Sequence, residues 1–268
     1  MRKPKVCAVS FLNTVPLAHG MVQGPQRDLV ELTFAVPSVC AERVANGVAD
    51  VGLVPVIEMD SQGLTPVPGI GIASRGAVRS ILLISRVPFR RVRTLATDMN
   101  SRTSVMLARI ILSRCFGTEP DVTSMPADLG TMLERADAAL LIGDAALAID
   151  PEQLGLPYLD LGQAWFDMTG LPFVFAMWAG HQPNITPELA EILEGSCLCG
   201  LGALDSIIEE EAARRTMPRA MVDHYLRSNI VFQHGDAERA GLELYLRYAR
   251  EMNDLVLAED PLHGDSQS

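Results

Sequence analysis

Short apolar segments of strand length alternate with helical patterns from residue 5 almost to residue 180, and that alternation restricts the chain to an α/β architecture built on mainly parallel sheet. Residues 5–10 read as a first strand. Asn13-Thr14-Val15-Pro16 then starts a helix, with Pro16 near the first helical position, where a missing N–H costs nothing. A second strand is expected at 32–36, a helix from a Ser38 cap to Asn46 with Gly47 as its stop, a third strand at 50–56 and a further one at 80–85.

After Val87-Pro88 the order begins again. Strand 94–97 leads to helix 103–116, closed by Gly117, then to strand 121–125, helix 127–135, strand 138–142 and a turn into a helix at 143–147. A second, smaller lobe is therefore nested inside the first. Residues 171–179 read as the buried strand that returns to lobe one, and after Pro187 the chain turns helical at 188–204, 205–215 and 237–257, with apolar residues at spacings of 3 and 4. The expected division is lobe one from 1–84 and 176–268, and lobe two from 85–175. Two such lobes joined by two crossings leave an interlobe cleft into which strand ends and helix N-termini point.

Composition narrows the partners. With 48% hydrophobic and 21% charged residues the chain can bury a large core. Its formal net charge is −11 and its densest basic cluster is only Arg90-Arg91 with Arg93, which argues against nucleic acid or an anionic membrane. No stretch approaches the roughly 18 apolar residues of a membrane span, and no long apolar region follows the basic start, so the expected place is the cytoplasm. Cys7, Cys40, Cys115, Cys197 and Cys199 are odd in number, lack a CxxC and have apolar neighbours, as buried reduced thiols do. The five histidines are scattered without an i, i+4 pair, so no metal site is expected.

The small polar clusters fall on the strand ends. Ser101-Arg102-Thr103-Ser104 stands where a strand stops and an apolar helix starts, a place whose unpaired N–H groups and dipole favour a carboxylate. Hydroxyls add donors there, and Arg102 adds either a bidentate partner or only a long-range field. Asn13 is either a helix cap or an amide aimed into the cleft. Ser74-Arg75-Gly76 with Val78-Arg79-Ser80 either line the hinge side of a ligand or are ordinary turn and strand-edge residues. Asp144, after Gly143, either orients a group of the opposite lobe or caps its helix, the commoner role. Trp165 and Phe166 either wall a ring-shaped ligand or belong to the core. Gly69-Ile70-Gly71-Ile72 lacks the third glycine and the helix of a dinucleotide fingerprint, and there is no P-loop. No Ser/His/Asp or Cys/His set emerges, so a conventional protein base is missing.

Five motifs in order, Ser10-Phe11-Leu12-Asn13-Thr14-Val15-Pro16-Leu17, Ser74-Arg75-Gly76 with Val78-Arg79-Ser80, Ser101-Arg102-Thr103-Ser104-Val105, Ala136-Asp137-Ala138 through Gly143-Asp144-Ala145-Ala146-Leu147, and Thr169-Gly170-Leu171-Pro172-Phe173-Val174-Phe175-Ala176, resemble the chorismate dehydratases of the futalosine route to menaquinone. The match spans roughly residues 5–257. The resemblance implies a type II periplasmic-binding-protein fold, removal of water from chorismate to give 3-[(1-carboxyvinyl)oxy]benzoate, and no metal or organic cofactor. It implies Asn13 and Ser80 as the catalytic pair. Around the substrate it places Ser10, Thr14, Ser74, Ser101, Arg102, Thr103, Ser104, Gly143 and Asp144, with Ser101, Thr103 and Ser104 holding a carboxylate from the second lobe. The base is then expected to be the enolpyruvyl carboxylate of the substrate, because the C3 hydrogen is acidified through the diene and loss of the C4 hydroxyl makes the ring aromatic. Chorismate is the expected partner, bound by a monomer or homodimer. Two alternatives are the related 1,4-dihydroxy-6-naphthoate synthase, which typically carries a catalytic histidine, and a non-enzymatic solute-binding protein, which needs export; no histidine occupies a cleft motif and no export segment precedes Cys7.

Overall fold

The computed structural model describes residues 2–98 and 102–259. In it β1 (Lys5–Val9) is buried from Val6 onward, because apolar residues occupy both of its faces and strands flank it on both sides. Helix α1 (Val15–Gln23), β2 (Glu31–Ala35), α2 (Pro37–Ala45) and β3 (Val51–Pro55) follow, and β2 and β3 run parallel to β1. Ser38 does not cap α2: Pro37 already stands in the first turn, and Val36 takes the cap position without a side-chain bond. Short α3 (Val56–Ser61) leads to the ten-residue β4 (Thr65–Ser74), a strand absent from the pattern reading. Pro66, Pro68, Gly69 and Gly71 break its alternation, yet Gly71 is there for packing. A Cβ at Gly71 would stand 2.5 Å from the Ala176 carbonyl oxygen and 2.6 Å from the His234 ring.

The second sheet starts at β5 (Ile81–Ser85) and continues through β6 (Thr94–Asp98), α4 (Arg102–Ile111), β7 (Asp121–Met125), α5 (Leu129–Arg135), β8 (Ala138–Ile142), α6 (Gly143–Leu147) and β9 (Tyr158–Asp160). Helix α7 (Leu161–Thr169) leads back to β10 (Phe173–Gly180), and α8 (Pro187–Gly202), α9 (Leu204–Arg215), α10 (Arg219–His224), β11 (Val231–Gln233) and α11 (Asp236–Glu259) complete the described residues. The six-stranded sheet has the order β11-β4-β10-β3-β1-β2 and the five-stranded sheet β7-β6-β8-β5-β9. Residues 81–84 thus pair in the second sheet and 173–175 in the first, a few residues from the division read off the sequence.

Both sheets are mixed, not mainly parallel. β10 runs antiparallel to β3 and β4, β11 to β4, and β5 to β8 and β9. The strands that carry the chain into and out of a sheet enter against the direction set by the strand–helix–strand units. One crossing is fastened by Asp160, whose carboxylate accepts from the N–H groups of Val78 at 3.0 Å and Arg79 at 2.5 Å while also capping α7 through the N–H of Gln163. Trp165 lies in the core, edge-on to Phe173 at 5.3 Å, and Phe166 is at the surface. Cys7, Cys40 and Cys197 are buried free thiols, whereas Cys115 is exposed in the π-helical turn Leu112–Phe116. Among the described residues no helix is long and apolar enough to cross a membrane.

Candidate active site

Between the two sheets lies a cavity floored by Val9, Pro55 and Ile142 at the ends of β1, β3 and β8. Parallel strands deliver their C-terminal ends to one edge, and the turns that follow carry the polar groups. Asn13 comes from the 3-10 turn Leu12–Thr14 directly after β1. It caps nothing, since Thr14 holds the cap position of α1, and its Oδ1 has no hydrogen-bond partner among the described residues. Thr14 is buried beside it and lies outside the cavity wall.

Ser80, buried at the start of β5, presents its side chain from the second sheet. Its main chain is pinned by the N–H of Gly143, which donates to the Ser80 carbonyl at 2.8 Å. Gly143 has a φ of 57°, and a Cβ there would meet the Phe11 ring at 3.1 Å. A glycine is needed on both counts, because it lets the backbone turn over the cavity while Phe11 lies against it. At the other end Thr103 and Ser104, both buried in the first turn of α4, line the wall. The Thr103 hydroxyl accepts from the Ile57 N–H at 3.4 Å and its carbonyl from the Tyr245 hydroxyl at 3.0 Å, which among the described residues leaves the Ser104 hydroxyl of this first helical turn as a group that can meet an anion.

Like Thr14, the expected residues Arg102, Ser10 and Ser74 stand elsewhere. Arg102 turns outward and pairs with Glu58 at 3.2 Å, its side chain 70% exposed. The rotation of about 100° per residue along the first helical turn sends it away from the wall that Thr103 and Ser104 form. Ser10 is exposed and bonds the Ala35 carbonyl, which ties β1 to β2. Ser74 is buried against Gly162, where a Cβ would come within 2.7 Å of its Oγ. Ser101 lies outside the described residues.

Asp144 does not cap α6, whose cap position is Ile142 without a side-chain bond. Its Oδ1 accepts from the Leu12 N–H at 3.2 Å, and its Oδ2 is ion-paired with Arg215 of α9. The cap reading fails because the turn at Gly143 aims the carboxylate across the gap at the first sheet's elements. Arg215 was not foreseen. It reads as one more basic residue in a last helical turn, but it is 9% exposed, and burial holds its guanidinium below the usual arginine value beside Glu211 and Asp144.

Tyr225 also escaped the sequence reading, because Val222, Tyr225 and Leu226 look like one apolar helix face. It is wholly buried in the π-helical turn Tyr225–Asn229, and its hydroxyl donates to the Ser80 Oγ at 3.0 Å. Burial pushes the phenol up to about 12 against the opposing hydrogen bonds from Ser80 and Asn13, so it stays neutral. No Asp, Glu, Lys, Arg or His lines the cavity among the described residues.

A cleft between two mixed α/β sheets, walled by strand ends and one helix N-terminus, defines a two-lobed protein of the periplasmic-binding-protein fold. Solved structures share that fold: a protein of Archaeoglobus fulgidus (TM-score 0.75, 17% identity, 94% of this chain and 98% of that one) and the periplasmic aliphatic sulphonate binding protein of Escherichia coli (TM-score 0.65, 15% identity, 97% and 94%). Residues 4–251 match the model of the menaquinone biosynthesis family, and the chain belongs to that family. The chorismate dehydratase of Thermus thermophilus is 29% identical over 255 residues, which cover 88% of this chain and 91% of that protein.

Proposed function

We propose that the chain is a chorismate dehydratase of the futalosine route, a carbon–oxygen lyase that converts chorismate to 3-[(1-carboxyvinyl)oxy]benzoate. The family match and the Thermus relative support it. The observation that carries it chemically is a largely apolar cavity whose polar lining is an amide, hydroxyls and the first turn of a helix, with no ionisable side chain among the described residues. Such a wall orients a dianion through neutral dipoles and offers no group of its own to take a proton, which suits a substrate that brings its own base.

In this reading the N-terminus of α4 with Ser104 holds the ring carboxylate and Ser80 holds one oxygen of the enolpyruvyl carboxylate. Its other oxygen faces the C3 hydrogen. As that proton leaves, the C3–H electron pair becomes the new ring π bond, the C4–O bond breaks, and the hydroxide departs as water with the proton taken from C3. Asn13, whose Oδ1 has no hydrogen-bond partner among the described residues, is read as hydrogen-bonding the departing hydroxyl or the enolpyruvyl group. Aromaticity supplies much of the driving force, so positioning is the main task left to the protein.

The two sheets act as lobes hinged at 75–80 and 161–172, with Asp144 and Arg215 as a latch across the gap. Free thiols, among them exposed Cys115, suit a reducing compartment such as the cytoplasm. Incubating chorismate with EDTA-treated protein tests the reading: the enolpyruvyl benzoate should accumulate. Absence of product, or turnover only when metal is restored, would overturn it.

A further inference from the structure

We infer that Tyr225 is a positioning residue for the dehydration, acting through Ser80 by fixing where the Ser80 hydroxyl proton points. The inference rests on the dehydratase reading and deepens it.

A buried phenol needs an acceptor for its proton, and a main-chain carbonyl suffices, as Tyr245 shows with Thr103. Tyr225 instead donates to the side chain of a cavity-lining serine. A serine hydroxyl has one proton and two acceptor positions. With one acceptor position filled from behind by Tyr225, the proton of Ser80 is left to point forward, into the cavity. The Ser80 backbone does not depend on this contact, because the Gly143 N–H already holds its carbonyl. What Tyr225 governs is therefore the rotamer and proton of the side chain, not the path of the main chain.

Asn13 belongs to the same arrangement. It lies close enough to the Tyr225 phenol to oppose the rise that burial causes, and its Oδ1 has no hydrogen-bond partner among the described residues. The proton order thus runs from Tyr225 O–H to Ser80 and from Ser80 O–H to a substrate oxygen. One buried phenol thereby sets the polarity of the Ser80 hydroxyl that faces the substrate. Removing its hydroxyl leaves Ser80 free to turn back, and the carboxylate that takes the C3 proton then loses its fixed aim. Ground-state binding, shared with Ser104 and the α4 N-terminus, suffers less.

The test is a cycle of Y225F, S80A and the double variant with chorismate. Y225F should lower kcat by about 10- to 100-fold with KM within about threefold of wild type. On the S80A background the same change should cost less than about twofold, because the group through which it acts is gone. Wild-type kcat in Y225F, or the full loss repeated on S80A, would overturn the inference. The buried Tyr225 hydroxyl proton should also give a slowly exchanging NMR resonance that moves in S80A, and an unmoved resonance counts equally against it. Wild-type protein inert towards chorismate overturns the dehydratase reading and this role together, whereas an active wild type matched by Y225F overturns this role alone.

Discussion

Asn13 and Ser80 reach the cavity from opposite sheets, each one short turn away from a strand, and neither carries a charge. On the proposed reading, replacing either by alanine removes a dipole that faces the substrate while the surrounding backbone keeps its bonds. Both N13A and S80A are expected to lower kcat by about one to three powers of ten with little change in thermal midpoint. Steady-state kinetics and a melting curve check the pair. Arg102 supplies the contrast, since it faces Glu58 and solvent. R102A should stay within about threefold of wild-type kcat/KM, the residual effect of a screened charge; a loss as large as that of S80A would show that the guanidinium swings inward on binding. Both catalytic candidates were legible as polar residues at strand ends. Tyr225 was not, because a tyrosine on an apolar helix face announces burial and says nothing of what its hydroxyl meets.

Among the elements, α6 is only five residues long, yet it ties the second sheet to elements of the first. Asp144 in its first turn takes the Leu12 N–H and the Arg215 guanidinium, and Leu12 begins the turn that carries Asn13. D144A leaves a buried N–H unpaired and a nearly buried guanidinium with Glu211 as its remaining carboxylate. A loss of about 2–3 kcal/mol in unfolding free energy is expected, with a raised KM for chorismate. An unchanged denaturation midpoint would mean that the latch is open in solution. Pattern reading assigned Asp144 to its own helix because local capping is the commoner role. Only the left-handed turn at Gly143 and the position of α9 decide otherwise. The same limit hid β4, where two prolines and two glycines read as a breaker until Ala176 and His234 are seen to press against Gly71.

For the molecule as a whole, the first sheet contributes a pH dependence through His234, which follows β11. Burial is the main cause of its descent from the ordinary 6.5 to about 4, with Glu238 pulling up and Arg75 adding to the fall. The folded state therefore resists protonation where the unfolded chain accepts it. Stability from this group is intact above about 6.5 and is lost as the pH falls towards 4, amounting to about 3 kcal/mol in all. H234F should flatten that part of the stability curve between pH 7 and pH 4.5, measured by denaturant unfolding. An unaltered slope would show that carboxylates alone set the acid limit.

The linear order of apolar segments and turns determined by itself that this chain is α/β, that one lobe is nested in another, and that small polar residues collect at strand ends. Those properties depend on neighbours a few residues apart, where periodicity and turn chemistry act. Tertiary structure decided the rest: the antiparallel sense of β5 and β10, the outward turn of Arg102, the reach of Asp144 to Arg215 and the contact between Tyr225 and Ser80. Each joins segments distant in sequence, up to 145 residues apart for the last, and is settled by which groups remain unpaired when the two sheets close. Local pattern carries no record of that choice.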